Sequence, residues 1–310
     1  MSWGFQKSAS GNSRLLHMAK CGKTSKQNAT TSKNFWGKLT AASTVVLAVC
    51  VGALGDAAAG NDIPSATSAD VVIVGEVHDN PHHHDYQARL ISQLDPTAVV
   101  FEMLTKKQAA SANSTKARGP DLAAAIRWED SGWPDWDVYQ SVFEAVGQRP
   151  IVGMALNADT VRNAVTQGAA SMFPGEAARF GLDRQLPKPE QIAREALQAA
   201  AHCDALPEEM LPGMVEAQRL RDAHFADVTL QAFQEFGGPI VVITGTGHAR
   251  RDWGIPAAMT RAAPDVTVVA IGQFEQDPDD FSMFDHINVT PPAERPDPCA
   301  VFQKSGTPDG

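Results

Sequence analysis

The sequence predicts an α/β protein in which a mostly parallel sheet is covered by helices and carries helical insertions. Two observations carry this prediction. Short apolar runs rich in β-branched residues recur along the chain, each closed by glycine or a polar residue, which is typical of strands buried on both faces. Stretches with helical spacing of apolar residues separate these runs, and that alternation favours a parallel sheet.

Five apolar runs are predicted to be strands. They are residues 71–74, 98–101, 150–156, 239–244 and 266–271. The run at 71–74 ends at a glycine, and a polar segment with three consecutive histidines follows it. One interpretation of that segment is a polar turn before a helix. The other is a functional site, because ligands of open α/β sheets bind beyond the carboxyl ends of the strands.

The segments between the strands are predicted to be helical. Residues 86–94 have helical spacing, residues 103–148 are mostly helical, and residues 159–236 form a long helical region that prolines interrupt. The last helix of that region is apolar towards its carboxyl end but carries Gln218 and Arg221 or Asp222 on the same face towards its amino end. Two interpretations are open: the polar, amino-terminal half of this helix lies beneath a functional site, or this face of the helix is exposed to solvent.

The amino terminus differs from the rest of the chain. A lysine-rich stretch precedes an apolar segment at residues 39–54 and an A-x-A site at 57–59, so residues 1–59 are predicted to be a secretory signal with a basic leader. The alternative is an uncleaved membrane anchor. Cys50 follows Val49, which does not fit a lipoprotein box, so no lipid anchor is predicted. Residues 60–69 are expected to be a linker and residues 276–310 a polar, proline-rich tail, of which 291–310 would be disordered or loosely attached.

Charge and cysteine content indicate which partners and which cellular compartment suit the protein. The formal net charge is −10; residues 1–59 hold 7 of the 26 Lys and Arg residues but 1 of the 36 Asp and Glu residues, which leaves 19 against 35, a net charge of −16, for the rest of the chain. Nucleic acid is therefore excluded as a partner. Cys203 and Cys299 lie beyond the leader and could pair in an oxidising compartment. Their spacing gives no metal-binding signature. We therefore expect an exported, periplasmic or membrane-associated protein.

Two G-x-x-H patterns follow predicted strands directly. The first ends the run at 71–74 and contains Glu76 and His78, and the second follows 239–244 and ends at His248. Glu102 and Asn157 close two further predicted strands. If these strands are neighbours, two imidazoles and two carboxylates meet at one crevice, where they could bind a metal, transfer protons or line a haem pocket.

Several segments carry a resemblance to a known family. They are GEVHDNPHHH at 75–84, FEM at 101–103, the segment at 136–139, MALN at 154–157, AQRLRDAHFA at 217–226 and GTGHARRDWGIP at 245–256. In this order they resemble the ChaN family of haem-binding, iron-regulated proteins, which shares a superfamily with the erythromycin esterases and Tiki proteases. The resemblance covers residues 70–275. It implies an exported haem-binding domain for iron acquisition, a homodimer that sandwiches cofactor, and an outer-membrane haem receptor as partner.

The resemblance also suggests haem-contacting residues. Tyr139 is the first choice for the iron ligand, because tyrosine is scarce and Trp136 lies nearby in the sequence. His83 or His84 could supply a ligand or a propionate contact. Asn157 and Arg221 complete the expected cofactor-binding set.

Two enzymatic alternatives remain open at this point. In a metal-dependent hydrolase, His78, His248 and Glu102 would hold a divalent ion, and Glu76 or Glu102 would act as the base. In a metal-free esterase-like site, His78 would be the general base. The sequence alone leaves open whether the protein is an enzyme.

Overall fold

A parallel β-sheet forms the centre of the computed structural model, which describes residues 68–115 and 117–300. Its strands are β1 (Val71–Glu76), β2 (Ala98–Phe101), β3 (Ile151–Gly153), β4 (Ile240–Gly245), β5 (Val268–Phe274) and β6 (His286–Val289). Within the described residues, the strand order is β3-β2-β4-β1-β5-β6 and every pairing is parallel. The predicted α/β class is confirmed.

Helices connect the strands. They are α1 (Pro81–Leu94), α2 (Lys106–Ser114), α3 (Gly119–Ala125), α4 (Trp136–Val146), α5 (Ala158–Gln167), α6 (Ala169–Met172), α7 (Lys188–Ala201), α8 (Leu211–Phe236) and α9 (Ile255–Ala262). Short 3-10 turns lie at Trp128–Asp130, Ala177–Phe180 and Glu208–Met210. None of the helices in the described ranges is long and apolar enough to cross a membrane.

Several sequence predictions fall outside the described part of the chain. The predicted signal at residues 1–59, most of the linker at 60–69 and the last ten residues are not covered by it. These assignments remain predictions.

The two strands that carry the G-x-x-H patterns are direct neighbours. β1 pairs with β4 so that Val71 lies opposite Ile240 and Glu76 opposite Gly245. Every residue of both strands is buried. Near-continuous apolar runs suit this position because helices cover both faces of the sheet.

Alternate residues of each strand supply two hydrophobic cores. Val72 and Val74 face the core that includes α1 and α4, where a cluster of aromatic rings packs. Val71 and Ile73 face the opposite core, which includes α8 and α9. This alternation follows from the two-residue repeat of a strand. The sheet is thereby held rigid beneath its carboxyl edge.

Helix α1 starts earlier than the sequence analysis predicted, at Pro81 rather than Tyr86. The side chain of Asn80 caps it by accepting a 2.9 Å hydrogen bond from the His82 N–H, and proline is favourable in the first turn. Consequently the three histidines at 82–84 belong to the helix rather than to a loop.

The carboxyl-terminal region also differs from the expectation. The sequence analysis did not predict β6, which is short and follows a polar stretch, yet it pairs with β5. Residues 291–300 have no regular strand but are fixed in place. Cys203 and Cys299 form a disulfide with a Cα–Cα distance of 5.6 Å, and Arg295 forms an ion pair with Asp79. The sequence analysis expected a loosely attached segment from its polar, proline-rich composition. Composition gives no information about such specific contacts.

Candidate functional site

The polar residues singled out in the sequence meet at the carboxyl edge of the sheet. Glu76 ends β1, Glu102 follows β2, and β4 lies between these strands. His78 and His248 come from the turns after β1 and β4. The expected meeting of two imidazoles and two carboxylates is therefore observed.

Glu76 is a buried carboxylate that gathers four side chains. Its Oε1 accepts a 2.5 Å hydrogen bond from the Tyr139 hydroxyl and lies 2.8 Å from His78 Nδ1. Its Oε2 accepts a 2.7 Å hydrogen bond from Gln87 Nε2 and lies 3.3 Å from His84 Nε2. A buried carboxylate needs such partners, because burial without them is costly.

The charge of Glu76 is set by these neighbours. Burial acts to raise the pKa of Glu76, but the imidazoles of His84 and His78 outweigh it, so the pKa lies well below its ordinary value. An ionised Glu76 accepts hydrogen bonds only. In the neutral ring of His78, the proton therefore lies on Nδ1 and Nε2 is the acceptor.

Glu102 organises the second half of the site. Its Oε1 forms an ion pair with Arg221 from α8, and its Oε2 accepts hydrogen bonds from Thr244 Oγ1 at 2.7 Å and the Gly245 N–H at 2.8 Å. Burial acts to raise the pKa of Glu102, but the charges of His248 and Arg221 lower it well below its ordinary value. Glu102 is thus a fully engaged anion.

His248 lies between two carboxylates. Its Nδ1 lies 2.6 Å from Asp222 Oδ1 and 3.0 Å from Gln218 Nε2, and its Nε2 lies 3.6 Å from Glu102 Oε1. Burial raises the pKa of Asp222. Of the two interpretations of α8, the polar half beneath a site is therefore correct, because Gln218, Arg221 and Asp222 all reach this cluster.

Gly245 brings the two halves together. A Cβ atom at this position would lie 2.9 Å from His78 Nε2 and 3.7 Å from Glu102 Oε2. The imidazole of His78 therefore occupies the space that any other residue at position 245 would fill. This close approach is the reason for glycine at the first position of the second G-x-x-H pattern.

His78 is the partly exposed imidazole of the site. Its ring contacts Trp133 edge-on at 4.8 Å between centroids, and its side chain is 12% exposed. Within the described residues, its Nε2 is a buried polar atom with no hydrogen-bond partner. Both ring nitrogens of His84 share this property, but the side chain of His84 is 0% exposed. Because native structures rarely leave such atoms unpaired, the Nε2 of the more exposed His78 is the candidate position for a ligand atom.

Tyr139, the expected iron ligand, lies inside the protein and supports Glu76. Its side chain is 0% exposed, and its hydroxyl donates to Glu76. Burial and then the charge of Glu76 raise the pKa of Tyr139 well above its ordinary value. Iron ligation by Tyr139 stays a prediction.

Trp136 is likewise a core residue. Its ring stacks on Phe143 at 4.8 Å and meets Trp128 edge-on at 5.5 Å, and it is 5% exposed. It therefore has no face free for a porphyrin. Trp133 is the partly exposed ring of this segment and the one that touches His78.

His83 and His84 are buried within helix α1. The Nδ1 of His83 accepts a 2.9 Å hydrogen bond from the Val77 N–H, and its Nε2 lies 3.4 Å from the Phe274 carbonyl. Burial lowers the pKa of His83, which favours the neutral ring. His84 packs beneath Glu76, with its ring centroid 4.1 Å from that of Tyr139, and neither of its ring nitrogens has a hydrogen-bond partner in the described part of the chain. A haem contact by His83 or His84 stays a prediction.

Asn157 also lies apart from the cluster. Its side chain caps α5 by accepting a 2.8 Å hydrogen bond from the Asp159 N–H, and it is exposed.

Sequence reasoning missed two members of the site, Gln87 and Thr244. Gln87 could have been found, because it follows His84 at helical spacing on a face that is otherwise apolar.

The donor set does not fit a divalent metal. Both oxygens of Glu102 are engaged, and the guanidinium of Arg221 beside them already supplies the positive charge. Among residues 68–115 and 117–300, no group of three or more His, Cys, Asp or Glu side chains is placed to hold a metal ion. The expected metal site at His78, His248 and Glu102 is therefore not supported.

Comparison with known proteins agrees with this picture. Residues 63–259 match the model of a family described as haem-binding uptake, Tiki superfamily, ChaN. The fold resembles the solved structure described as cofacial haem binding to ChaN of Campylobacter jejuni, with a TM-score of 0.55 and 19% identity over 70% of this chain and 85% of that chain. No curated protein gives a significant match.

Two further solved structures show weaker similarity. An erythromycin esterase in its open conformation aligns with 68% of this chain and 71% of its own, at 14% identity and a TM-score of 0.40. A type III effector aligns with 67% of this chain and 78% of its own, at 12% identity and a TM-score of 0.37. Similarity at this level carries no functional argument.

Proposed function

The chain belongs to the haem-binding uptake family of the Tiki superfamily that includes ChaN, and from this membership we propose that it is an exported protein that binds haem in iron acquisition. The unpaired Nε2 of His78, at the carboxyl edge of the sheet, is the single observation that directs this function to a place in the fold.

His78 has the surroundings of an axial iron ligand. Haem iron accepts an imidazole nitrogen, and metal-binding histidines commonly donate their other ring N–H to a carboxylate. In this chain Glu76 accepts from Nδ1 at 2.8 Å and so fixes the tautomer that leaves the Nε2 lone pair available. Tyr139 and Gln87 hold Glu76 in turn. These contacts support His78 as the ligand.

Neighbouring residues favour a flat apolar group at this position. Trp133 provides a partly exposed aromatic ring beside His78. Gly247 lies in the exposed turn before His248, and a Cβ atom there would meet nothing within 4 Å. Arg221 is the cation closest to the cluster, and a haem propionate is the group it would attract.

Export is proposed from the sequence and supported by the cysteines. The leader pattern at residues 1–59 predicts secretion, and the Cys203–Cys299 disulfide suits an oxidising compartment such as the periplasm. Amino-terminal sequencing of the exported protein should give a start near Gly60. An intact terminus on protein in the cytoplasmic fraction would contradict export. A homodimer and an outer-membrane haem receptor remain part of the proposal through the family resemblance.

The haem proposal is tested by titrating the full chain with ferric haem. We expect a saturable shift of the Soret band and a visible spectrum of imidazole rather than phenolate ligation. Gel filtration of the loaded protein in parallel gives the stoichiometry and any change from monomer to dimer. A spectrum indistinguishable from that of free haem throughout the titration would contradict the proposal.

A further inference from the structure

The segment that follows β6 starts at the edge of the sheet at which the site lies and is attached beside the turn after β1. Residues 290–299, named here the C-terminal strap, start where β6 ends, and the Thr290 N–H continues the ladder with a 2.9 Å hydrogen bond to the Phe274 carbonyl. Because all described strands are parallel, β6 ends at the same edge as β1 and β4. The strap is mostly exposed on its outer side.

Polar contacts hold the strap against the turn that carries His78. The Nδ2 of Asn80, a fully buried residue, donates 2.9 Å and 2.8 Å hydrogen bonds to the Pro291 carbonyl and to Glu275. Glu275 also accepts a 3.0 Å hydrogen bond from the Ala293 N–H. The strap is thus fastened two residues away from His78.

Arg295 forms the second attachment. Its Nη1 donates to Asp79 Oδ1 and to Glu275 Oε1, both at 2.9 Å, and Asp79 directly follows His78. Burial acts to raise the pKa of Glu275, but the Arg295 and Ala293 hydrogen bonds outweigh it and lower the pKa. The ion pair is only partly buried, so by itself it is a weak and salt-sensitive attachment.

The third attachment is covalent. Cys299 at the end of the strap is bonded to Cys203, which follows α7. Arg194 of α7 lies 5.0 Å from the ring of Trp253, in the loop after His248. The strap therefore spans from the turn after β1 towards the helix that flanks the turn after β4.

We propose that the C-terminal strap is a redox-controlled gate over His78 and that the Cys203–Cys299 disulfide is its latch. Reduction by a dithiol breaks the Sγ–Sγ bond; two electrons and two protons pass to the cysteines, and the dithiol is oxidised to its disulfide. The strap then keeps the non-covalent contacts of Thr290, Asn80, Ala293 and Arg295 described above. Access to His78 increases, and on the proposed function the ligand that gains access is haem.

The latch acts through effective concentration. A tethered segment rebinds its own site as an intramolecular event, so losing the tether favours the open state without any change in the contacts themselves. We expect the exposure of His78 to solvent reagents to increase by about tenfold on reduction. Both cysteines are partly exposed, so a reductant can reach them.

Labelling with diethyl pyrocarbonate, read residue by residue by mass spectrometry, tests the gate without haem. We expect faster labelling of His78 in the reduced full chain and in a Cys203→Ser/Cys299→Ser variant than in the oxidised chain. His82 is exposed and serves as an internal control that should not change. Equal labelling of His78 in fully reduced and oxidised protein would overturn the gate. Because no haem is present, this outcome is independent of whether haem binds.

A second comparison distinguishes opening of the strap alone from general unfolding after the disulfide is reduced. His83 and His84 are 0% exposed and should stay unlabelled in the reduced protein if only the strap opens. Labelling of these rings at the rate of His78 would mean general unfolding and would overturn the proposal. Arg295→Gln with the disulfide intact should give an increase in His78 labelling that is smaller than that of the double cysteine variant.

Discussion

At the scale of single residues, Glu76 determines what His78 can do. The Oε1 of Glu76 contacts both Tyr139 and His78, and its Oε2 accepts a hydrogen bond from Gln87. The contact with Tyr139 is not visible as a pattern in the sequence, because the two residues lie 63 positions apart. The strand-end position of Glu76 was predictable, whereas the identity of its partners required the packing of α1 and α4 on β1.

Tyr139→Phe tests the reassigned role of Tyr139. The substitution removes the hydroxyl that donates to Glu76, so we expect the free energy of unfolding to fall by about 1 to 3 kcal/mol. The spectrum of bound haem should keep its ligand type. Tyr86→Phe is the matched control: Tyr86 is also buried, with a pKa raised to about 12 by burial, and its change should be within about 0.5 kcal/mol. Loss of the haem spectrum in Tyr139→Phe would restore Tyr139 as the iron ligand.

At the scale of elements, the two G-x-x-H turns were the most informative part of the sequence. Each follows a buried strand, and the strands β1 and β4 pair in register so that Glu76 lies opposite Gly245. The apolar runs predicted these strands because a strand buried on both faces has a distinctive composition. β6 was missed because its four residues are only partly buried, which leaves no such signal.

Gly245→Ala tests the contact between the two turns. Its Cβ would lie 2.9 Å from His78 Nε2, so the imidazole must leave its place against Glu76. We expect haem affinity to fall by about tenfold or more while the fold is retained, since the imidazole would lose the carboxylate hydrogen bond that orients it. Gly247→Ala is the control, because its Cβ would meet nothing within 4 Å. Equal haem affinities of the two variants in the Soret titration would argue against this geometry.

At the scale of the whole molecule, buried ionisable groups make stability depend on pH. Burial lowers the pKa of His83 and of His224 below 6.5, their ordinary value. As the pH falls through 6.5, the unfolded chain therefore binds more protons than the folded protein, and the free energy of unfolding decreases. The lowered pKa values of Glu76 and Glu102 add a further loss below 4.5. Asp222, with a raised pKa, acts in the opposite direction near 3.8. Glu275, whose pKa is also lowered, adds to the loss of stability at low pH.

We therefore expect the urea midpoint to fall between pH 7.5 and 5.5 and to fall more steeply towards pH 4. Replacing His83 with glutamine should reduce the first part of the decline, because the substitution removes one of the groups that take up protons on unfolding. The comparison is made on the slope rather than on the absolute midpoint, since the substitution also changes packing. A midpoint that stays constant or rises on acidification would contradict the assignment of these groups.

The central claim is that the free Nε2 of His78 is the ligand of haem iron, and the absorption spectrum of His78→Ala with ferric haem tests it most directly. His82→Ala is the matched control, since His82 is an exposed histidine in the same segment. The wild-type protein and His82→Ala should give the same imidazole-type spectrum, whereas His78→Ala should lose it and bind haem about tenfold more weakly or worse. A wild-type spectrum in His78→Ala would contradict the account.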